Sequence, residues 1–596
     1  MTLQPTLEAL VKEWLRLDPN PVTRDEIQAL WTQQDHNELE KRLRTRIEFG
    51  TAGLRGRMEA GWSRMNDLII AQTSQGLSDY VLGHVKEAKD RGLVIGYDHR
   101  HHSERWANLT ADIFASKGIK VYLLKGFVHT PLVPFGVKTM NAACGVMITA
   151  SHNPKQDNGY KVYWENAVQI IAPHDRGISH AIKLAIDRLD SSAAKCEASG
   201  ELIIDRTQEL QSAYFTYLKG LTPPAVPPIV APPKFVNTSM HGVGDPFVKR
   251  AFEITGLSPY IPVKEQQMPD PDFPTVKFPN PEEKGALDLA LETATREGAD
   301  YVLAQDPDAD RFTAAEKRST GEWVLFTGDQ LGALFASTVL QKYKASGQPM
   351  KKLAMVASTV SSKMLEAMAG KEGFKFVECL TGFKFIGNTA LQLVDEGFEV
   401  PFGYEEAIGY MFGAHIRDKD GVAATIQFAK LVASLHEQGK TAYEHLQELY
   451  DEYGYFETRN GYFTCMDPEI TQKIFTRLRS YGPPEKSKST YPQTLGSLEV
   501  TRVTDLTTGY DSGNPPTYEP ELPLSSGQMI QFRARDVQLG TNLVLTLRTS
   551  GTEPKIKYYL EGNGKDSQQV ADVLSKAVAD ISMNWMQSEK YKLSMS

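Results

Sequence analysis

Cysteine is scarce: the 596 residues hold four, Cys144, Cys196, Cys379 and Cys465, widely scattered. That spacing argues against a disulfide framework or a zinc knuckle and fits a reducing compartment. Long apolar runs are missing too. None approaches the roughly 18 to 20 residues needed to span a bilayer. The start Met1-Thr2-Leu3-Gln4-Pro5 lacks the basic-then-apolar plan of a secretory signal. Positive charge is in deficit, with a formal net charge of −9, which argues against nonspecific nucleic-acid binding. An anionic ligand stays open, because a few Arg and Lys residues can make a local positive pocket. The expectation is a cytoplasmic protein with no membrane or nucleic-acid partner.

What is present is an ordinary globular composition in a chain too long for one core, so about three to five domains are expected. The first fifty residues read as helices. Leu7, Leu10, Val11 and Trp14 fall on one face, and Leu39, Leu43 and Ile47 repeat the spacing. From Leu93 the pattern alternates between buried strands and amphipathic helices, which predicts α/β layers with parallel or mixed sheets. The Pro-rich run from Thr222 to Pro233 can hold neither helix nor central strand and marks a domain boundary. A second α/β unit follows, with a strand at 234–237, helices near 246–254 and 282–297, and a strand at 301–304. A third has a helix from Gln330 to Tyr343, strands at 353–356 and 375–378, and a loop after Val400-Pro401-Phe402. Beyond Gly454 come Pro-rich loops, short strands and a helical tail, as in a smaller α+β domain. The expected domains are 1–221, 222–327, 328–453 and 454–596.

Six stretches carry candidate chemistry. Gly145-Val146-Met147-Ile148 reads as a buried strand opening into Thr149-Ala150-Ser151-His152-Asn153-Pro154. Ser151 there is either a nucleophile on a rigid sheet or a capping Ser in an Asn-Pro turn. Phe49-Gly50-Thr51-Ala52-Gly53-Leu54-Arg55-Gly56 sets three glycines around an arginine, a phosphate grip or a plain glycine turn. In Asp98-His99-Arg100-His101-His102 adjacent histidines are poor co-ligands for one ion, and Arg100 at the strand end is of more interest. In Asp306-Pro307-Asp308-Ala309-Asp310-Arg311 three aspartates alternate. Hard carboxylate oxygens beside a phosphate are what Mg²⁺ prefers, and an Asx-rich helix cap is the alternative. The glycine and glutamate of an EF-hand are out of register. Arg548-Thr549-Ser550-Gly551-Thr552-Glu553-Pro554-Lys555 offers a nest of donors for a phosphate, or an ordinary turn; it lacks the spacing and ending of a Walker A loop. Glu405 and Glu406 in Gly-Tyr-Glu-Glu-Ala-Ile-Gly suit sugar hydroxyls or solvated surface.

Thr-Ala-Ser-His-Asn-Pro, Asp-Pro-Asp-Ala-Asp-Arg, Gly-Tyr-Glu-Glu-Ala and Arg-Thr-Ser-Gly-Thr-Glu-Pro, in that order and one per unit, jointly resemble the α-D-phosphohexomutase superfamily, in its phosphoglucomutase-2 / phosphopentomutase branch. The resemblance covers nearly the whole chain. It implies three similar α/β domains with mixed sheets plus a smaller C-terminal α+β domain around a central cleft. It also implies an isomerase that interconverts sugar 1-phosphates with sugar 5- or 6-phosphates, of ribose, deoxyribose and glucose, through a phosphoserine and a bound sugar bisphosphate. The alternative within the branch is a glucose 1,6-bisphosphate synthase with an acyl-phosphate donor. By the same resemblance Ser151 is the phosphorylated serine, and Asp306, Asp308 and Asp310 hold Mg²⁺ together with its phosphate. Thr381, Gly382, Glu405, Glu406 and Ala407 face sugar hydroxyls. Arg548, Ser550, Gly551, Thr552 and Lys557 hold the non-reacting phosphate. Arg55, Arg100, Arg311, His152, Lys161 and Lys419 surround the reacting groups, with His152, Lys161 and Lys419 as candidate bases. The expected partners are sugar phosphates, and the expected state is a monomer or weak dimer. One residue departs from the pattern: glucose-preferring members carry Gly-Glu-x-Ser, and this chain has Ala407 where that serine falls.

Overall fold

The computed structural model describes residues 5–50, 53–186, 200–222, 232–481, 490–550 and 554–595. Most of the Pro-rich boundary and of the loop after Tyr481, and also Gly551 and Thr552, lie outside the described residues. The chain forms two compact units, Met1–Lys342 with Phe383–Ala442, and Tyr343–Gly382 with Tyr443–Ser596.

The first unit opens with helices Leu7–Leu17, Pro21–Thr32 and His36–Leu43. Thr6, Asn20 and Asp35 cap them, each accepting an amide hydrogen that the first turn leaves unbonded. Trp14 meets Trp62 edge-on at 4.8 Å, seating the extension on the sheet domain behind it. Ile47 falls beyond the third helix, and its amide donates to the Trp62 carbonyl instead.

The sheet of that domain has six strands in the order Leu54–Arg57, Asp157–Tyr163, Cys144–Ile148, Leu93–Tyr97, Val121–Leu123, Ile203–Ile204. The first two pairings are antiparallel and the rest parallel. Residues 93–97 and 144–148 are buried along their whole length, as the continuous apolar runs require of strands covered on both faces. A second mixed sheet runs Trp323–Leu325, Phe312–Lys317, Tyr301–Gln305, Phe235–Thr238, Ile261–Pro262. The helix expected near 282 starts only at Asp288. Turns held by Glu283 N to Asn280 O and Ala286 N to Glu283 O occupy the preceding residues. The hairpin Glu399–Glu405 with Gly409–Phe412 completes the sheet elements of this unit. Glu405 therefore ends a strand, and the expected loop shrinks to Glu406–Ile408.

The second unit holds the parallel pair Leu353–Ser358 and Lys375–Cys379. It also holds an antiparallel sheet built on Leu498–Asp505, Met529–Asp536, Thr541–Thr549 and Lys555–Gly564, covered by helices Pro468–Arg479 and Ser567–Asp580. Three α/β stretches with mixed sheets and a β-rich C-terminal domain are thus the architecture, as expected. Among the described residues no helix is long and apolar enough to cross a membrane.

The glycine run before Arg55 has a strict steric reason at one position. Gly53 sits at φ +78°, and a Cβ there would stand 1.8 Å from the Tyr160 carbonyl oxygen. Gly53→Ala is expected to cost about 2 kcal/mol or more, read as a lower denaturation midpoint with an unchanged urea m-value.

Candidate active site

The strand Cys144–Ile148 ends at a loop whose third residue, Ser151, adopts φ +53°, the left-handed region that non-glycine side chains rarely take. The loop is held from beneath by Arg100. Its guanidinium donates to the carbonyls of Ser151 (2.6 Å), Asn153 (2.5 Å), Pro154 (2.8 Å) and Asp157 (3.1 Å). Four carbonyls on one planar cation explain how a strained turn keeps a single shape. Thr149 Oγ1 accepts from the Ser151 amide at 2.9 Å. Exposed Arg55, on the edge strand, reaches Asn153 Oδ1 at 3.1 Å.

So held, Ser151 Oγ donates to Asp306 Oδ2 at 2.6 Å and lies 3.2 Å from His152 Nδ1. Asp306, Asp308 and Asp310 are all buried and bring one oxygen each within 4.8 Å of one another. Burial, with the charges of Asp308 and Asp310 added, pushes the Asp306 carboxyl well above its ordinary range. Burial also works against charge on Asp308. The ammonium of Lys161, 2.7 Å away, outweighs it with help from Thr130 and holds that carboxyl below the ordinary range. Lys161 reaches Asp310 as well, at 2.9 Å, and Lys419 stands 3.5 Å from Asp310. Among the described residues the second oxygens of Asp308 and Asp310 are buried without a hydrogen-bond partner. Three converging hard oxygens, two of them with an unsatisfied neighbour on the same carboxylate, fit a small divalent cation.

The hairpin turn after Glu405 closes over this loop. Arg311 bridges Gly409, and the Phe312 amide donates to the Ile408 carbonyl at 3.1 Å. Buried Glu405 has its carboxyl pushed up to about 7 by burial, against the pull of Lys419. Arg311, Glu406 and Ala407 are half-buried beside it. Burial is the main reason that His152 stays neutral, with Arg311 and Arg55 adding to it. On Lys161 burial is overcome by Asp308 and Asp310, and on Lys419 by Asp310, Asp418 and Glu405, so both are held above the usual lysine range.

The second unit carries the remaining candidates. Arg548 and Lys557 are paired across adjacent strands and so project from one face, with Tyr559 next along it, whose hydroxyl accepts from Arg548 at 3.2 Å. The Ser550 amide donates to the Lys555 carbonyl at 2.9 Å, closing the hairpin at its tip. Thr381 Oγ1 is buried with no partner among the described residues, and Gly382 follows at φ +114°.

Thr130 is a site residue that no sequence pattern marked. Its hydroxyl and amide donate to the side chain and carbonyl of Asp308, 178 positions along the chain, at 2.6 and 2.9 Å. Val128-His129-Thr130-Pro131, a polar pair before a helix-starting proline, is the one local cue.

Two buried histidines, His99 and His129, flank this region. Burial pushes His99 down to about 4 and His129 to about 3. Both folded values lie below the ordinary 6.5, so the unfolded chain binds more protons below that pH. Stability is lost as pH falls from 6.5 towards 4, approaching about 1.4 kcal/mol per pH unit for each histidine. Urea denaturation between pH 7 and 5 checks this, and His129→Asn removes one proton from the slope.

The phosphoglucomutase/phosphomannomutase family matches this chain in three blocks, α/β/α domain I over residues 46–187, domain II over 213–321 and domain III over 327–453. Human phosphopentomutase is 44% identical over 98% of this chain and 97% of its own length. Phosphoribomutase of Saccharomyces cerevisiae is 43% identical over 97% and 96%, and human glucose 1,6-bisphosphate synthase 42% over 99% and 96%. The fold also matches a solved phosphoglucomutase/phosphomannomutase family protein from Burkholderia thailandensis, with a TM-score of 0.62 at 16% identity over 90% of this chain and 97% of that one. With a serine set on a buried carboxylate triad and this similarity from end to end, the chain belongs to the phosphoglucomutase/phosphomannomutase family, in the α-D-phosphohexomutase superfamily of phosphomutases.

Proposed function

We propose that this chain moves a phosphoryl group between position 1 and position 5 of ribose or deoxyribose, and between positions 1 and 6 of glucose, with Ser151 as the carrier. The observation that carries the reading is the 2.6 Å hydrogen bond from Ser151 Oγ to Asp306 within the buried triad. Phospho-Ser151 donates to the free hydroxyl of a sugar monophosphate. The Ser O–P bond breaks, a new P–O bond forms to the sugar, and the hydroxyl proton passes to His152, Lys161 or Lys419 and on to the departing serine oxygen. Either lysine must first be relieved of its carboxylate partners to accept it. The bound bisphosphate then returns its other phosphate to Ser151. Mg²⁺ held by Asp306, Asp308 and Asp310 would neutralise the phosphoserine oxygens and polarise phosphorus.

We assign Arg100 to holding the serine loop, since all four hydrogen bonds of its guanidinium go to carbonyls between Ser151 and Asp157. Arg55 and Arg311 stabilise charge on the transferred group. A protonated Glu405, favoured by its burial, donates to a sugar hydroxyl, and Glu406 and Ala407 complete that turn. Thr381 and Gly382 bind the sugar. Arg548, Ser550, Gly551, Thr552 and Lys557 bind the distant phosphate. The scattered cysteines favour a cytoplasmic setting, and gel filtration checks for the monomer or weak dimer.

Ala407 removes a hydroxyl that glucose-preferring members present to the sugar, which favours pentose. The kcat/KM for ribose 1-phosphate is therefore expected to exceed that for glucose 1-phosphate, with sugar bisphosphate as activator. A strong glucose preference would sink the pentose assignment. The similarity to a glucose 1,6-bisphosphate synthase supports a second reading, and strict dependence on 1,3-bisphosphoglycerate as donor would favour it.

A further inference from the structure

The stretch Arg417-Asp418-Lys419-Asp420-Gly421 places an acid on each side of the lysine, and the proposed reaction uses neither acid. We propose that Asp418 and Asp420 are positioning residues for Lys419, held in turn by Tyr163, Gln169 and Tyr214. The proposal rests on the reading of Lys419 as one of the groups around the transferred phosphoryl.

The geometry is specific. Asp418 Oδ2 accepts from Tyr163 Oη at 2.9 Å and Gln169 Nε2 at 2.8 Å. Its Oδ1 accepts the Lys419 amide at 2.8 Å and lies 3.7 Å from Lys419 Nζ. Asp420 Oδ1 accepts the Ala423 amide at 2.9 Å, capping the helix Gly421–Glu437. Tyr214 Oη donates to both Asp420 oxygens, at 3.0 and 2.9 Å. All of these groups but Gln169 are buried.

The donors come from the strand Asp157–Tyr163, the turn after it and the helix Thr207–Leu221, more than 200 positions before the acids. Neutral donors on both of its oxygens fix the Asp418 carboxylate in one place beside the ammonium. The backbone is pinned as well, by Asp420 N to Tyr410 O at 2.9 Å and Gly421 N to Ala309 O at 3.1 Å. That second bond ties the lysine's segment directly to the aspartate loop.

The lysine stem then has one path. A Cβ on Gly409 would stand 2.3 Å from Lys419 Cδ, so the hairpin leaves room for the stem only as glycine. The ammonium ends 3.5 Å from Asp310 and 5.2 Å above the Phe383 ring. A flexible side chain is thereby delivered to one place. A pair of aspartates that did no more than cap a helix would need neither Tyr163 nor Gln169.

The test is a double-mutant kinetic comparison. Asp418→Asn and Tyr163→Phe are each measured in the wild-type and in the Lys419→Ala background, with thermal unfolding run in parallel. Tyr163→Phe removes a single hydroxyl and covers the case in which Asp418→Asn does not fold. Each is expected to lower kcat about 10- to 100-fold, the scale of a displaced reacting-site group. KM stays within about twofold, and in the Lys419→Ala background neither adds a further loss. Equal losses in both backgrounds would overturn the positioning role alone. Wild-type kcat in Lys419→Ala would overturn the reading of Lys419 on which the proposal rests, and the proposal with it.

Discussion

Ser151→Ala is expected to form no phosphoenzyme and to lose turnover by about 10⁴-fold or more, the scale at which removing a nucleophile stops a covalent route. The fold is expected to survive almost unchanged. The loop's shape comes from Arg100 gripping four backbone carbonyls and from the Thr149 hydroxyl, none of which involves the serine side chain. Alanine at φ +53° bears the same left-handed strain that serine already bears. Intact mass after incubation with a sugar bisphosphate reads the first expectation, and calorimetry the second. Wild-type turnover in this variant would show that Ser151 is not the phosphate carrier.

Lys161→Met is expected to destabilise the metal-free first unit by about 3–5 kcal/mol, the cost of leaving a buried charge without its partner. Lys161 lies 2.7 Å from Asp308 and 2.9 Å from Asp310, and all three side chains are buried. Methionine keeps most of the stem volume, so packing changes little and the electrostatic loss dominates. A divalent cation supplies the missing charge. Mg²⁺ should therefore raise the unfolding temperature of the variant by more than that of the wild type, since a ligand that binds only the folded state stabilises by mass action. EDTA should abolish turnover in the wild type and leave the variant at its lowest stability. If Mg²⁺ shifted both proteins equally, the triad would not be where the cation acts.

Much of the fold was legible in local pattern. The uniformly apolar runs at 93–97 and 144–148 could only be strands covered on both faces, and the helix Gly421–Glu437 follows directly from Asp420 as its cap. The misreadings lie where local chemistry is ambiguous. Glu282 and its neighbours have helical composition, yet Pro279-Asn280-Pro281 breaks the pattern and tight turns take over until Asp288. The stretch after Phe402 is expected as a loop, but Gly403 is paired within a hairpin opposite Met411. Arg100, expected among the groups around the reacting phosphoryl, stands at a strand end. The loop folded back over it and left its side chain no exposed surface.

By itself the sequence determined the chemistry on offer: a serine in a strand-end loop, three alternating aspartates, an arginine-and-hydroxyl hairpin, and an alanine where a sugar-facing serine falls in glucose-preferring relatives. Those are properties of residue type and near spacing, which a linear pattern records. The tertiary structure alone decided which of these groups meet. It set Ser151 on Asp306, Thr130 on Asp308, Lys161 between two aspartates, and Tyr163 and Tyr214 on the acids flanking Lys419. Each of these contacts joins residues more than 140 positions apart. Their distances, and the shifts in proton affinity that burial brings, come from how sheets and helices stack, so no short window of sequence contains them.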